Sequence, residues 1–124
     1  MSSTILIADD EPYMLRILQL SLEKGGHQLI LARNGREAVD LACRERPHAI
    51  VMDILMPELD GLQALRELRR SPETASIPVV MLTARGQVLT RSDAEASGAS
   101  LFLTKPFSPT HLLSEVERLI ATRP

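Results

Sequence analysis

The stretch "AIVMDILMPELDG" at residues 49–61 contains a short apolar run that ends on a carboxylate, Asp53, before further apolar residues follow. The run has the length of a strand, and its uniform hydrophobicity is typical of a strand covered on both faces. A buried carboxylate is unfavourable unless a cation or hydrogen-bond donors compensate its charge. The stretch therefore predicts a buried strand whose carboxyl end holds an acid with a chemical role.

Similar apolar runs occur elsewhere along the chain, and helical patterns separate them. Together the predicted strands are Ile5–Ala8, "HQLILA", "AIVM", "PVVML" and "LFLT". This alternation of strands and helices is typical of a parallel sheet with right-handed crossovers. Five units are too few for a closed eight-unit barrel, so we expect an open, doubly wound α/β sheet with five helices.

Residues that favour helix ends mark the first three helices. Pro12 suits the first turn of the first helix. Asn34 and Glu37 have the spacing of a capping box at the start of the second helix, and Asp60 and Gln63 have the same spacing at the start of the third. We expect the charged residues of the third helix to form a solvated face.

The two remaining helices differ in the strength of their signals. The fourth, Gln87–Ser97, has a weak pattern, and Gly98 follows it as a C-terminal signal. Ser108 and Pro109 are a favourable N-cap and first-turn pair for the last helix, which has a clear apolar stripe. We therefore place five helices, with the least certain boundaries in the fourth.

The composition limits the class of protein. The 124 residues have the usual length of one domain, and 44% hydrophobic with 2% aromatic residues predicts an aliphatic core. The net charge of -2 argues against a surface that binds nucleic acid directly. Cys43 is the single cysteine, which excludes an internal disulfide and suits a reducing cytosol. We expect neither a signal peptide nor a membrane helix.

Polar residues follow four of the five predicted strands. These residues are Asp9-Asp10-Glu11 after the first strand, Asp53 after the third, Thr83-Ala84 after the fourth and Lys105-Pro106 after the fifth. Ligands of open parallel sheets bind beyond the carboxyl ends of the strands. We therefore expect an acid cluster, a hydroxyl and an ammonium to meet at one edge of the sheet.

This set of side chains suits phosphoryl transfer. Neighbouring carboxylates repel one another, and a divalent cation removes that repulsion. An all-oxygen site with room for water favours Mg²⁺. A metal between Asp10 and Asp53 leaves coordination positions for phosphate oxygens, while Lys105 adds positive charge and Thr83 donates a hydrogen bond. Asp53 itself can accept the phosphoryl group as an aspartyl phosphate.

The lysine after the fifth strand is consistent with a phosphate contact. The chain contains 12 arginines but two lysines, Lys24 and Lys105. A compact ammonium acts on a phosphate as a point charge, whereas a guanidinium imposes a planar fork.

Four motifs in order, "ILIADDEP", "VMDILMPELDGL", "VVMLTA" and "GASLFLTKPF", resemble the receiver domain of bacterial two-component response regulators. The similarity extends from about Ile5 to the last helix. It implies a flavodoxin-like sheet of order 2-1-3-4-5 and a single receiver domain over residues 1–124. It also implies a cytoplasmic signalling switch that accepts a phosphoryl group from a sensor histidine kinase or a phosphotransfer protein, with no external turnover substrate.

The resemblance also implies a metal site. Asp53 is the implied phosphoacceptor, and Asp10 is the implied direct Mg²⁺ ligand. Asp9 is expected to act mainly through water, and the backbone carbonyl of Leu55 is expected to be another ligand.

A second implied group binds the phosphate and changes conformation. Thr83, with Ala84 beside it, matches the switch hydroxyl, and Lys105 matches the phosphate-binding lysine. Phe102 matches the aromatic residue that rotates on activation, and a cis bond is expected before Pro106.

The chain departs from the commoner family pattern at the switch aromatic. Phe102 lacks the hydroxyl of the usual tyrosine. Leu55 and Arg85 occupy the variable positions that tune the phosphate lifetime, and an apolar Leu55 predicts slow self-dephosphorylation.

The implied partners contact a different surface. Activation is expected to change the face formed by the fourth helix, fifth strand and fifth helix, where an output domain or partner protein would bind. A homodimer through the last two helices is left open. No direct contact with nucleic acid or membrane is expected.

Other functions use related chemistry. A phosphohydrolase of the haloacid-dehalogenase kind shares the aspartate nucleophile and Mg²⁺ but needs a second aspartate where this chain has Leu55. A flavodoxin-like electron carrier needs a phosphate-binding loop where this chain has the acidic "ADDEPY". A degenerate receiver would have lost the acid cluster, which is intact here.

Overall fold

The computed structural model describes residues 3–84 and 96–122. It contains five parallel strands: β1 (Thr4–Ala8), β2 (Gln28–Ala32), β3 (Ala49–Asp53), β4 (Val79–Thr83) and β5 (Leu101–Thr104). They form one sheet in the order β2-β1-β3-β4-β5, which confirms the predicted order. β3 is one residue longer than the apolar run suggested, because Asp53 is itself paired with Leu82 of β4.

The described residues contain four complete helices rather than the five predicted. They are α1 (Pro12–Glu23), α2 (Gly35–Glu45), α3 (Gly61–Arg70) and α4 (Pro109–Thr122). The predicted helix Gln87–Ser97 lies largely outside the described residues, and its last two residues, Ala96 and Ser97, are helical. None of the described helices is long and apolar enough to cross a membrane.

The two faces of the sheet form two aliphatic cores. Successive strand residues point to opposite faces, so Leu6 and Ile50 pack with α2 and α3, whereas Ile7 and Val51 pack with α1 and α4. Within the described ranges, no buried hydrophobic side chain is aromatic, as the composition predicted. Covering both faces explains why the strands are apolar along their whole length.

The predicted capping residues occupy helix starts. At α3, the Asp60 carboxylate accepts a hydrogen bond from the Gln63 backbone N–H at 2.9 Å, and the Gln63 side-chain oxygen accepts one from the Asp60 backbone N–H at 3.2 Å, which confirms the capping box. At α2, Asn34 accepts from the Glu37 backbone at 2.8 Å, which is one half of the predicted box. The Ser108 hydroxyl accepts from the backbone near the start of α4 at 3.2 Å.

The expectation of a wholly solvated charged face on α3 is wrong for one residue, Arg69. Its guanidinium donates to the carbonyls of Thr74, Ala75 and Ile77 before β4, and to the carbonyl of Gly98 before β5. Burial lowers the pKa of Arg69. This side chain therefore joins two crossover segments at the amino ends of the strands, opposite the edge where the predicted site residues lie.

The strand register brings the carboxyl ends together. Ala8 is paired with Met52, so Asp9, which follows β1, lies beside Asp53, the last residue of β3. On the other side of β3, Thr83 is paired with Thr104. The residues that follow β1, β3, β4 and β5 therefore share one edge.

Candidate functional site

Asp53 lies at the bottom of the site, at the end of β3. Asp53 is 6% exposed, and the Leu55 backbone N–H donates a hydrogen bond to its carboxylate. The chain then turns back sharply, since the Gly61 N–H donates to the Ile54 carbonyl at 2.7 Å. Asp53 is thus held between a buried strand and a tight loop that begins α3.

Two further acids adjoin Asp53. Asp9 is fully buried, whereas Asp10 is exposed. A carboxylate oxygen from each of Asp9, Asp10 and Asp53 lies within 4.8 Å of the others. Asp9 also accepts a hydrogen bond from the Glu11 backbone at 3.0 Å, which fixes its orientation.

Lys105 bridges the two buried acids. Its Nζ lies 3.0 Å from Asp9 Oδ2 and 3.3 Å from Asp53 Oδ2. Its backbone N–H donates to the Thr83 carbonyl at 2.8 Å, so β4 fixes the point from which the side chain extends. The bond between Lys105 and Pro106 is cis, the isomer that the resemblance implied.

The site has an excess of negative charge. Burial raises the pKa of Asp53, with a contribution from the charge of Asp9, while Lys105 opposes the rise. Burial acts to lower the pKa of Lys105, but its hydrogen bond to Asp9 and the charges of both acids raise it overall. Three carboxylates and one ammonium leave more negative than positive charge at the edge of the sheet.

The donor set fits a hard divalent cation. All three clustered side chains offer oxygen, and exposed Asp10 leaves the cluster open to water on one side. Mg²⁺ prefers oxygen ligands, and it usually retains several waters beside one or two carboxylates. The cluster therefore satisfies the chemical requirements of a Mg²⁺ site. Leu55, two residues after Asp53, is 59% exposed.

The predicted switch residues lie beside the acid cluster rather than within it. The Thr83 hydroxyl makes hydrogen bonds of 3.4 Å to the Leu103 carbonyl and 3.4 Å to Thr104 Oγ1, both on β5. Ala84 follows it and is partly buried. Phe102 is partly buried inside β5 and packs against the core on the α2 and α3 side.

Sequence reasoning missed two contributors to this arrangement. Thr104 is the last residue of the predicted strand "LFLT", and its position directly before Lys105 is the sequence signal that could have indicated its contact with Thr83. Gly61 is the first residue of α3, directly after the Asp60 N-cap. A Cβ at this residue would overlap the Asp53 carbonyl oxygen, so the absence of a side chain permits the tight loop behind the acid.

Comparison with known proteins agrees with this geometry. The sequence profile of the response regulator receiver domain matches residues 5–117. Protein PilH of Pseudomonas aeruginosa is 41% identical over 117 residues, which cover 94% of this chain and 97% of PilH. The transcriptional regulatory protein SrrA of Staphylococcus aureus is 38% identical over 97% of this chain, which spans 48% of SrrA.

A solved structure extends the similarity to the fold. The receiver domain of the sensor histidine kinase PA1611 from Pseudomonas aeruginosa has a TM-score of 0.90 and 31% sequence identity, covering 98% of this chain and all of that one. That structure has a magnesium ion coordinated in its active site cleft. With a family profile that spans most of its length and relatives that share both its sequence and its fold, the chain belongs to the response regulator receiver domains, which are phosphorylation-activated signalling switches.

Proposed function

We propose that residues 1–124 form one receiver domain in which Asp53 accepts the phosphoryl group from a sensor histidine kinase or a phosphotransfer protein. The observation that supports this most strongly is the bridge from Lys105 to Asp9 and Asp53, at 3.0 and 3.3 Å, beside exposed Asp10. A buried carboxylate with an ammonium and two neighbouring acids matches the requirements of metal-assisted phosphoryl transfer.

In the proposed transfer, an oxygen of Asp53 attacks phosphorus while the bond between phosphorus and the donor's imidazole nitrogen breaks. The product is an acyl phosphate on Asp53, and the imidazole leaves with its bonding electron pair. The chain contributes orientation and charge. The buried strand end and the Leu55 N–H hold the carboxylate, and Lys105 neutralises charge on the transferred group.

The proposed metal is Mg²⁺, held by Asp10, Asp53 and the Leu55 backbone carbonyl, with Asp9 acting mainly through water. When bound, it supplies positive charge to the phosphoryl oxygens. Support comes from the clustered carboxylates and from the magnesium ion in the cleft of the PA1611 receiver domain. Asp9 has a second role as the partner that retains Lys105 when Asp53 becomes phosphorylated.

The proposed switch begins at Thr83. After phosphorylation, its hydroxyl donates to a phosphoryl oxygen near Ala84, and Phe102 changes its packing on β5. Because the phosphoryl dianion stabilises the conformation in which Thr83 reaches it, phosphorylation shifts the population toward that conformation. The changed surface includes β5, α4 and the helix predicted from the sequence over Gln87–Ser97. An output domain or partner protein binds this surface. The same face could also form a homodimer, and the molecular mass in solution would show it.

Several finer features belong to the same proposal. The chain catalyses its own phosphorylation without turning over an external substrate, and apolar Leu55 makes self-dephosphorylation slow. It acts in the cytoplasm and makes no direct contact with nucleic acid. Nothing in the comparisons favours a haloacid-dehalogenase-like phosphohydrolase, and steady hydrolysis of a phosphate ester would be required to restore that alternative.

The surface beside the site suits a protein donor. Tyr13, Ile17 and Leu20 are exposed on α1, and their spacing places them on one helical face opposite the core. Tyr13 is in the first turn of α1, three residues after Asp10, and exposed Leu55 is two residues after Asp53, so both lie at the rim of the acid cluster. A donor that brings its histidine to Asp53 must cover this rim, so we assign the α1 stripe to donor docking.

Intact mass after treatment with acetyl phosphate and Mg²⁺ tests the function. We expect one phosphoryl adduct on the wild type and none on Asp53→Asn. Asp40→Asn is the matched control, because Asp40 is an exposed acid on α2, and it should be phosphorylated like the wild type. A wild type without an adduct, or an adduct on Asp53→Asn, would contradict the assignment.

A further inference from the structure

The hydroxyl at the end of β4 is engaged by β5 in this structure. Thr83 and Thr104 are register partners at the ends of adjacent strands, so their side chains emerge on the same face of the sheet. The Thr83 hydroxyl has its hydrogen bonds of 3.4 Å with Thr104 Oγ1 and with the Leu103 carbonyl. In this arrangement the hydroxyl is directed to β5.

From this contact we propose that Thr104 is a positioning residue, which restrains the Thr83 hydroxyl in the unphosphorylated protein and so sets how readily it reaches the phosphoryl group. The inference rests on the proposed function, because it takes Thr83 as the residue that contacts phosphate. Threonine has few staggered side-chain conformations, so a hydroxyl that points to β5 must leave that conformation to bind an oxyanion beside Asp53. Any hydrogen bond made to β5 is lost in that change.

The restraint is weak, and its weakness suits a switch. Both hydrogen bonds of the Thr83 hydroxyl are longer than the usual hydroxyl–oxygen distance of about 2.7 Å. Thr104 is exposed, so water competes for the same hydroxyl. The Leu103 carbonyl remains as an acceptor when the Thr104 hydroxyl is removed. We therefore expect Thr104 to change phosphoryl affinity by about threefold.

The adjacent Lys105 does not account for this effect. It is held through its own backbone N–H, which donates to the Thr83 carbonyl at 2.8 Å, and through ion pairs to Asp9 and Asp53. A change confined to the Thr104 side chain leaves those contacts in place. Thr104→Val preserves the branched shape that strands favour and removes the hydroxyl alone.

The test measures the binding of fluoroberyllate, a stable phosphoryl mimic, in the presence of Mg²⁺. We expect Thr104→Val to bind fluoroberyllate about threefold more tightly than the wild type. Thr104→Ser retains the hydroxyl and should bind it with the wild-type affinity. In a Thr83→Val background, Thr104→Val should have no effect, because no hydroxyl remains to be restrained. A structural disturbance would instead persist in that background.

The outcomes separate the two proposals. If the wild type binds no fluoroberyllate and forms no phosphoryl adduct, the proposed function fails, and the role of Thr104 fails with it. If the wild type binds but Thr104→Val binds equally or more weakly, the role of Thr104 alone is wrong. A gain that survives in the Thr83→Val background would also overturn it.

Discussion

Lys105 lies 96 residues after Asp9 in the chain, yet its ammonium is 3.0 Å from the carboxylate of that fully buried acid. The pair joins the end of β5 to the end of β1, with Asp53 of β3 between them at 3.3 Å from the same ammonium. One cation thus connects three strands. The same ammonium forms part of the proposed phosphate site.

Replacing Lys105 with Met should destabilise the protein by about 3 kcal/mol in the absence of Mg²⁺, because Asp9 would lose its cation while remaining buried. Urea unfolding followed by circular dichroism measures the change. The matched control is Lys24→Met, which removes the other lysine from an exposed position after α1 and should cost less than about 0.5 kcal/mol. Equal effects of the two substitutions would show that the bridge contributes little.

Replacing Asp10 with Asn should weaken Mg²⁺ binding about tenfold or more, because one of three clustered carboxylates loses its charge. Isothermal titration measures the affinity directly. At a Mg²⁺ concentration about 100 times the wild-type dissociation constant, the wild type should also gain about 2.7 kcal/mol of stability, whereas Asp10→Asn should gain at most about 1.4 kcal/mol. Asp40→Asn should bind like the wild type, and a similar loss in that variant would assign the effect to general surface charge.

Replacing Gly61 with Ala should both destabilise the protein, by about 2 kcal/mol, and slow the phosphorylation of Asp53. The added Cβ would lie 2.7 Å from Met81 Cε and 2.8 Å from Ile54 Cα, and it would overlap the Asp53 carbonyl oxygen. The backbone beneath the phosphoacceptor must therefore move. Intact mass during acetyl phosphate treatment gives the rate.

The control for Gly61 is Gly26→Ala. Gly26 has a φ of +78°, but a Cβ there would meet no atom within 4 Å. This substitution should destabilise by about 1 kcal/mol through backbone strain alone and leave the phosphorylation rate unchanged. If both variants slow phosphorylation in proportion to their loss of stability, the Gly61 contact has no specific effect on Asp53.

Replacing Ile17 with Glu should slow phosphoryl transfer from a protein donor about tenfold or more, because a charge would enter the exposed apolar stripe of α1. The rate from acetyl phosphate should not change, since that donor needs no docking surface. Two phosphorylation rates are measured for each variant. One uses a histidine-phosphorylated protein that phosphorylates the wild type, and the other uses acetyl phosphate. An equal loss with both donors would indicate damage to the site, and no loss with either would exclude the stripe.

Replacing Arg69 with Met should destabilise the protein by about 2 kcal/mol, because carbonyls from the segments before β4 and β5 would lose their donor. Thermal unfolding measures the change, and phosphorylation by acetyl phosphate should remain at the wild-type rate because Arg69 lies at the opposite end of the strands. Arg66→Met, on an exposed position of the same helix, should change stability by less than about 0.5 kcal/mol. A comparable loss at Arg66 would contradict this role.

The order and type of the residues were enough to predict the strands, the sheet class and the residues at its carboxyl edge. These features depend on local patterns, such as the apolar run that ends at Asp53 and the Asp60–Gln63 box that starts α3. Adjacent acids with the same local pattern could not be distinguished in this way. The tertiary structure buried Asp9 completely and left Asp10 exposed.

The partners of these residues became visible in the folded chain and not before. Lys105 reaches Asp9 across the sheet, Thr83 is engaged by β5, and Arg69 binds carbonyls rather than water. Burial and hydrogen bonding depend on neighbours that the fold brings from distant parts of the chain. A local sequence pattern does not identify those neighbours. The types and order of the residues were therefore enough to predict the chemistry of the site. Its charge balance and the contacts that restrain Thr83 and Lys105 depend on how the sheet packs.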